Sequence, residues 1–458
     1  MISPKARVRK IKFWFNLTKA YFHRYKLRVF IGLVSIAAFI WLLSFTWSKM
    51  ARSNVLTIGY TGSYTLEDVP AEILNLATEP LIAVDESGKP VPALASHWTV
   101  SEDGKTYVVF LKDNLRWHDD TPVEAKDIRI AIENVQITAL NNKAIEFKLP
   151  NKISSFPNAL NRPVFKAESF YGTGHYRIVD LDRSDEIIQK ISLAPKDKNL
   201  PQVDIKFYQR EDQLTEAIKM GEVKSAAVAN ASIFNSWPNL EVQRTVEEKE
   251  VITIFYNTED PNLTSKELRQ ALTHAIDKSA FDGESASGPN SPSSWVYNDQ
   301  VKRFDYNTGR AKELLAKSGS TNPTITLSVI GGFTDIANSI KEDWGDIGVT
   351  TNIKEEKALP REFQALLAIN EVSSNIDQYG LWHSTQKSTN ITKFKNPRID
   401  KLLEDARDTN DDEKRKELYQ DFQRVLVDET PAAFLYHPYK YQVIYKNAKP
   451  LLDKLPDQ

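Results

Sequence analysis

Cysteine is absent from all 458 residues, which excludes a disulfide framework, a thiolate zinc or iron–sulfur centre, a cysteine nucleophile and a lipid-bearing cysteine. Histidine is scarce, with seven in the chain, and none shows a His-x-x-x-His or His-Glu-x-x-His spacing, so a protease-type zinc site has no support. A Gly-x-Ser-x-Gly motif is missing as well, since Gly283-Glu284-Ser285-Ala286-Ser287 lacks the final glycine. There is no Gly-x-x-x-x-Gly-Lys-Ser/Thr loop to hold ATP, and no internal repeat. What is present is globular in composition: 41% hydrophobic, 26% charged and 10% aromatic, with Gly 17 and Pro 22. That excludes a collagen-like, low-complexity or wholly disordered chain, and the length predicts two or three lobes rather than one small module.

The formal net charge of −2 hides an asymmetry. Nine basic residues (Lys5, Arg7, Arg9, Lys10, Lys12, Lys19, Arg24, Lys26 and Arg28) precede Val29, and the first acid is Glu67. Lys49 and Arg52 bring the basic count to eleven before Ser53, so from there on 48 basic residues face all 61 acidic ones. A body so acidic is no general nucleic-acid binder, because a polyanion needs a basic footprint.

Between Val29 and Trp47 lie 19 uncharged residues, VFIGLVSIAAFIWLLSFTW. As a helix this run is long enough to cross about 30 Å of hydrocarbon. The basic leader and the border residues Trp41 and Trp47 fit the interface rules, so the expectation is a single membrane span with residues 1–28 cytoplasmic and the body extracytoplasmic. A cleavable signal peptide is the alternative, weakened by the 28-residue leader and the lack of a small-x-small site before Ala51. Ile11, Phe13, Trp14, Phe15, Leu17, Tyr21 and Phe22, interleaved with the bases, suggest a helix lying on anionic lipid.

In the body, Val55 to Tyr60, Thr106 to Leu111, Ala144 to Leu149 and Val203 to Tyr208 read as strands, and Asp212 to Met220 as a helix stopped by Gly221. Thr264-Ser265-Lys266-Glu267 has the capping-box form ahead of Leu268, Ala271, Leu272, Ala275 and Ile276 at helical spacing. Ile325, Leu327 and Val329 alternate in a strand broken by Gly331-Gly332. A helix carrying Ile336, Ile340, Trp344 and Ile347 and a strand near Val349 to Ile353 complete a βαβ unit. Helices over Arg398 to Arg407 and Asp412 to Val427 follow, the second ended by Pro431. Strand-like Ala433 to Tyr436 and Tyr441 to Tyr445 have no later neighbour and can return to the first lobe.

Ser384-Thr385-Gln386-Lys387, Ser373-Ser374-Asn375 and Lys317-Ser318-Gly319 imitate a penicillin-recognising set, but their chain order is reversed and Gly319 reads as an ordinary helix cap. Glu247-Glu248-Lys249-Glu250 and Asp411-Asp412-Glu413 read as solvated faces rather than catalytic carboxylates.

A long series of short motifs runs along the body. It begins with Glu79-Pro80-Leu81-Ile82, Gly88-Lys89-Pro90-Val91-Pro92-Ala93-Leu94-Ala95-Ser96-His97-Trp98 and Ser101-Glu102-Asp103-Gly104-Lys105-Thr106-Tyr107. Then come Leu115-Arg116-Trp117-His118-Asp119-Asp120-Thr121-Pro122, Gly172-Thr173-Gly174-His175-Tyr176, Gly221-Glu222-Val223 and Phe255-Tyr256-Asn257-Thr258. Lys266 to Leu272 with Ala275-Ile276-Asp277-Lys278, Trp382-His383-Ser384 and Asn396-Pro397-Arg398-Ile399-Asp400 complete the series. In this order they resemble the extracellular solute-binding proteins, family 5, of peptide and oligopeptide ABC importers.

The resemblance implies an α/β, two-lobed periplasmic-binding-protein fold (class II, Venus-flytrap type), here preceded by a single N-terminal transmembrane helix. Residues 54–250 with 431–458 would form lobe one and residues 251–429 lobe two. A ligand enclosed between the lobes shifts their closure equilibrium. Near the family's cleft segments stand Tyr60, Tyr64, Trp295, Tyr379 and Trp382, with core packing the alternative for each. Gly172, Gly174 and Asn257 would supply polar contacts. Glu371 or Asp377 would meet a ligand's free amine, although neither aligns with the family's usual acid. Asp120 stands where the family has glycine, Lys224 where it has an acid and His175 where it has proline, and the stretch between Val135 and Tyr171 is short.

The expectation is therefore a membrane-anchored, extracytoplasmic, monomeric binding protein. It takes peptides or similar solutes without a cofactor or metal, breaks no bond, binds no nucleic acid, and delivers its ligand to an ABC permease and its ATPase. A peptide sensor or envelope chaperone of the same fold is the alternative, and a cell-wall hydrolase a more distant one.

Overall fold

The computed structural model describes residues 54–456 apart from 67 and 373–375, together with residues 24, 25 and 35. The chain separates into Met1–Leu56 and a body, Thr57–Gln458. The apolar run Val29 to Trp47 lies outside the described residues but for Ser35. Among the described residues no helix is long and apolar enough to cross a membrane.

The body is mixed α/β and two-lobed, organised on one twelve-stranded sheet. Its path runs Thr350–Glu355, Thr324–Val329, Ala365–Glu371, Glu250–Tyr256, Ala432–Tyr445, Ser225–Val228, Val55–Thr61, Gln202–Tyr208, Ile187–Pro195 and Tyr176–Ser184. Leu240–Val246 and Gly283–Ser285 also pair with Ala432–Tyr445.

Glu250–Tyr256 is buried from Val251 onward because both faces of this part of the sheet are covered. Successive side chains point to opposite faces, so Ile252, Ile254 and Tyr256 enter one core and Val251 and Phe255 another. The first core is closed by the helices Lys266–His274 and Thr334–Asp346, the second by Pro397–Asp408 and Asp412–Glu429. Thr324–Val329 and Thr350–Glu355 pair in parallel on either side of Thr334–Asp346, giving the expected βαβ unit. Trp344 is fully buried there, and its indole N–H donates to Leu272 O at 2.9 Å.

The helix cap expected at Thr264 falls one residue later. Ser265 holds the extended backbone at the N-terminus of Lys266–His274, its Oγ accepts from Leu268 N at 3.2 Å, and the Glu267 carboxylate accepts from Ser265 Oγ. Arg269, on the same helix, is buried and donates to four carbonyls, those of Leu263, Thr264, Glu429 and Thr430. A buried guanidinium is tolerated because its N–H groups are satisfied.

The other half carries Gln202–Tyr208, whose alternating burial follows the two-residue period of a strand covered on one face. A separate four-stranded sheet, Ala95–Val100, Thr106–Leu111, Ala144–Lys148 and Gln136–Asn141, packs Trp117, Phe147 and Phe156 in its own core.

The two strand-like segments near the C-terminus are one strand of 14 residues, Ala432–Tyr445. Residues Ala432 to Tyr436 pair with Glu250–Tyr256, and Tyr439 to Tyr445 pair with Leu240–Val246. The preceding helix ends at Thr430, held at φ 52° with its Oγ1 donating to Val427 O, immediately before Pro431.

Candidate ligand cleft

The chain passes from one half of the sheet to the other at residues 246–250, and again within Ala432–Tyr445. A cavity of about 510 Å³ opens beside these crossings. Ile58 to Thr61, Glu72, Glu211 and Ala227 to Ala229 line it from one half, and Ile252, Gly331, Phe333 and Ile369 from the other. Glu247, Glu250, Tyr439, Lys440 and Gln442 line it from the crossing segments. Gly331 and Gly332, at φ 83° and 79°, make the turn that brings Phe333 to the wall, a backbone region that glycine enters without strain.

Lys440 Nζ bonds the carboxylates of Glu250 at 2.9 Å and Glu247 at 3.0 Å. Burial disfavours its charge, but the hydrogen bonds to Glu250 and Glu247 prevail and hold its pKa above the ordinary lysine value. Burial, with smaller contributions from Glu72 and Tyr64, pushes the Tyr60 phenol well up. Glu211 accepts from Ala229 N at 2.8 Å, and Gln442 Nε2 donates to Ser225 Oγ at 2.6 Å.

A second cavity, of about 530 Å³, shares Glu247 and is lined by Ser87, Glu248, Ser291, Val372 and Ile376. Hydrogen bonds from Ser291 Oγ, the Ser293 hydroxyl and Ser293 N lower the Glu248 carboxyl pKa against the opposing effect of burial. The run Glu247 to Glu250, expected as a solvated face, is thus in good part paired: three of its carboxylates have specific partners, because the chain turns there between the halves. Beyond this cavity the halves also touch. Ser154 N donates to Arg407 O at 3.0 Å, Ser154 Oγ to Ala406 O at 3.1 Å, and Trp295 N to Ser87 O at 2.8 Å.

Of the ten residues picked from the sequence, Tyr60 lines the first cavity. Tyr64 packs its ring on Phe207, with centroids 5.2 Å apart, and donates its hydroxyl to Thr61 O. Gly172 and Gly174 lie against Ala77 and Thr78 so closely that a Cβ on Gly172 would stand 2.2 Å from Ala77 O; they are sites of close backbone approach. Asn257 is buried, donating to Phe363 O and accepting from Glu259 N. The Trp295 ring has the Lys89 ammonium 4.9 Å from its centre, and its indole N–H is buried without a hydrogen bond among the described residues. Glu371 ends its strand exposed, paired in register with Glu250.

Asp377, Tyr379 and Trp382 do come together, but as a packed cluster. Asp377 accepts from Arg407 Nε at 2.7 Å and from Tyr379 N at 3.0 Å. The Tyr379 ring is stacked 4.0 Å from His383 and 3.7 Å from the Arg407 guanidinium. Trp382 is 2% exposed and meets Phe434 edge-on inside the core. The cleft residues Glu72, Glu211, Glu247, Glu250, Phe333 and Lys440 were not picked from the sequence. Of these only Glu247 and Glu250 carry a linear signal, the run of acids at the crossing, which also describes a solvated loop.

The model of the bacterial extracellular solute-binding proteins, family 5, matches residues 89–144 and 131–390. The oligopeptide-binding protein AppA of Bacillus subtilis is 27% identical over 87% of this chain and 89% of its own length. The dipeptide-binding protein of Escherichia coli is 23% identical over 85% and 88%. Among solved structures, the ABC transporter substrate-binding protein CtaP of Listeria monocytogenes superposes with a TM-score of 0.72 at 21% identity, covering 85% of this chain and 94% of its own. NikZ of Campylobacter jejuni, solved in complex with Ni(L-His), gives 0.69 at 20% identity over 86% and 94%. The protein is a binding protein rather than an enzyme, and with two-thirds of its length matched by the family model, it belongs to the bacterial extracellular solute-binding proteins of family 5.

Proposed function

We propose that this protein captures short peptides outside the cytoplasm and delivers them, chemically unchanged, to an ABC permease driven by its ATPase. The observation that carries this reading is the cavity of about 510 Å³ at the two strand crossings, walled by both halves of the body. Its size lies within the range of small-ligand sites. Because both halves contribute walls, an occupant stabilises whichever arrangement brings them together, and binding drives closure. Relatives described as oligopeptide- and dipeptide-binding proteins favour a peptide over other solutes.

In this reading residues 54–250 and 431–458 form one lobe and residues 251–429 the other, and the protein works as a monomer. The basic leader 1–28 stays in the cytoplasm and residues 29–47 anchor the body to the membrane as one span. Tyr60 contributes an aromatic wall to the ligand.

The test is native mass spectrometry of the full-length protein, solubilised in detergent. Intact peptides among the released molecules support the reading; haem or a nickel chelate in their place overturns the peptide assignment. Fractionation checks the anchor: a body recovered free of membranes and beginning near residue 50 means cleavage.

A further inference from the structure

The charged side chains lining the first cavity are four carboxylates, Glu72, Glu211, Glu247 and Glu250, and one ammonium, Lys440. Their formal sum is negative by three. Lys440 is shared between Glu247 and Glu250, and Glu211 is bonded to one backbone N–H. Glu72 makes no hydrogen bond or ion pair with a described residue, yet it stands close enough to raise the pKa of Tyr60. Arg244, whose guanidinium lies 4.3 Å from the centre of the Tyr439 ring, stands outside the lining and offsets part of this charge, leaving a formal excess of two when it is counted. Aromatic rings of Tyr60 and Phe333 stand in the same wall, while Tyr439 already carries the Arg244 guanidinium on its ring.

A cleft lined by one sign of charge between low-dielectric walls concentrates ions of the opposite sign, and aromatic faces attract cations further. We infer that the cavity selects cationic ligands, and that the peptides it takes carry a basic side chain in addition to their free amine. The inference rests on the cleft being the ligand site and adds the charge of the ligand. An acidic side chain would instead have to displace Lys440 from both partners or remain unpaired, which is costly in an enclosed site. The second cavity is also lined mainly by acids, Asp85, Glu86, Glu247 and Glu248 against Lys249, but Asp85 and Glu248 already accept hydrogen bonds from Ser87 and Ser291.

Isothermal titration of the full-length protein with Ala-Lys-Ala, Ala-Ala-Ala, Ala-Glu-Ala and spermidine tests the inference. Ala-Lys-Ala is expected to bind about tenfold tighter than Ala-Ala-Ala or more, Ala-Glu-Ala weakest, with the preference shrinking as salt rises. Glu72→Gln, and separately Glu211→Gln, should bring the lysine and alanine peptides to within about threefold of each other while unfolding at the wild-type temperature. Equal affinity for the three peptides, or a preference unaffected by both substitutions, overturns the inference and leaves peptide binding intact. Spermidine binding with no peptide bound retains the cation preference and removes the peptide reading. No binding of any of the four overturns both.

Discussion

Lys440 and Glu250 face each other at 2.9 Å across the two segments that connect the halves of the body. Glu247, at 3.0 Å from the same ammonium, completes a three-residue bridge on the cavity wall. The contact follows from topology. Glu247 and Glu250 bracket the turn from Leu240–Val246 into Glu250–Tyr256, and Lys440 lies where Ala432–Tyr445 changes partner from the second of those strands to the first. The bridge therefore couples the two crossings at the place where a relative rotation of the halves would change their angle.

A double-mutant cycle on Lys440→Met and Glu250→Gln measures that coupling. Because the lysine is over a third exposed, the interaction energy should be modest, about 0.5–1 kcal/mol in urea denaturation. A value indistinguishable from zero would mean that the bridge does not hold the crossings together.

Trp382→Ala should act on stability rather than on binding. Its side chain is 2% exposed and faces Phe434 and Gln378 in the core, so truncation should cost about 3–5 kcal/mol. The affinity of the protein that remains folded should change little. A large loss of affinity at unchanged melting temperature would place the ring in the ligand site.

Asp377→Asn removes the anion from a contact in which Arg407 Nε lies 2.7 Å away and the carboxylate side chain is 6% exposed. Loss of this charged hydrogen bond should lower unfolding free energy by about 1.5–3 kcal/mol. Wild-type stability with impaired binding of peptides that have a free amine would instead make Asp377 the amine anchor.

Lys278 gives a pH test. Its ammonium donates to Ala286 O and Phe434 O, and burial brings its pKa down to about 8, against about 10.4 for an unhindered lysine. Between those values the unfolded chain binds more protons than the folded one, so this residue's contribution makes stability rise as pH increases from about 8 to about 10.4. The penalty for burying the charge is in full force below pH 8. Chemical denaturation of wild type and Lys278→Met across that interval should differ by this rising component; parallel profiles would show that the ammonium is not desolvated.

The helix Lys266–His274 and the βαβ unit around Thr334–Asp346 were legible because their information is local. Leu268, Leu272, Ile340 and Trp344 recur at helical spacing, and Gly331-Gly332 marks the break between strand and helix. Even there the cap moved from Thr264 to Ser265, since either residue can supply the oxygen and packing decides where the helix begins. Trp382, Tyr379 and Asp377 illustrate the opposite case: an aromatic or acid beside a cleft segment has the same one-dimensional appearance whether it faces the ligand or the core.

Order and composition along the chain were enough to determine the family, the absence of sulfur chemistry, the strands and helices with strong periodicity, and the acidic character of the body. These depend on residue type and on spacings within a few residues of one another. Which side chains form the cleft was decided only by the tertiary structure. Glu72, Glu247, Phe333 and Lys440 are separated by scores of residues and meet because two strands cross between the halves, a relationship that no local spacing encodes.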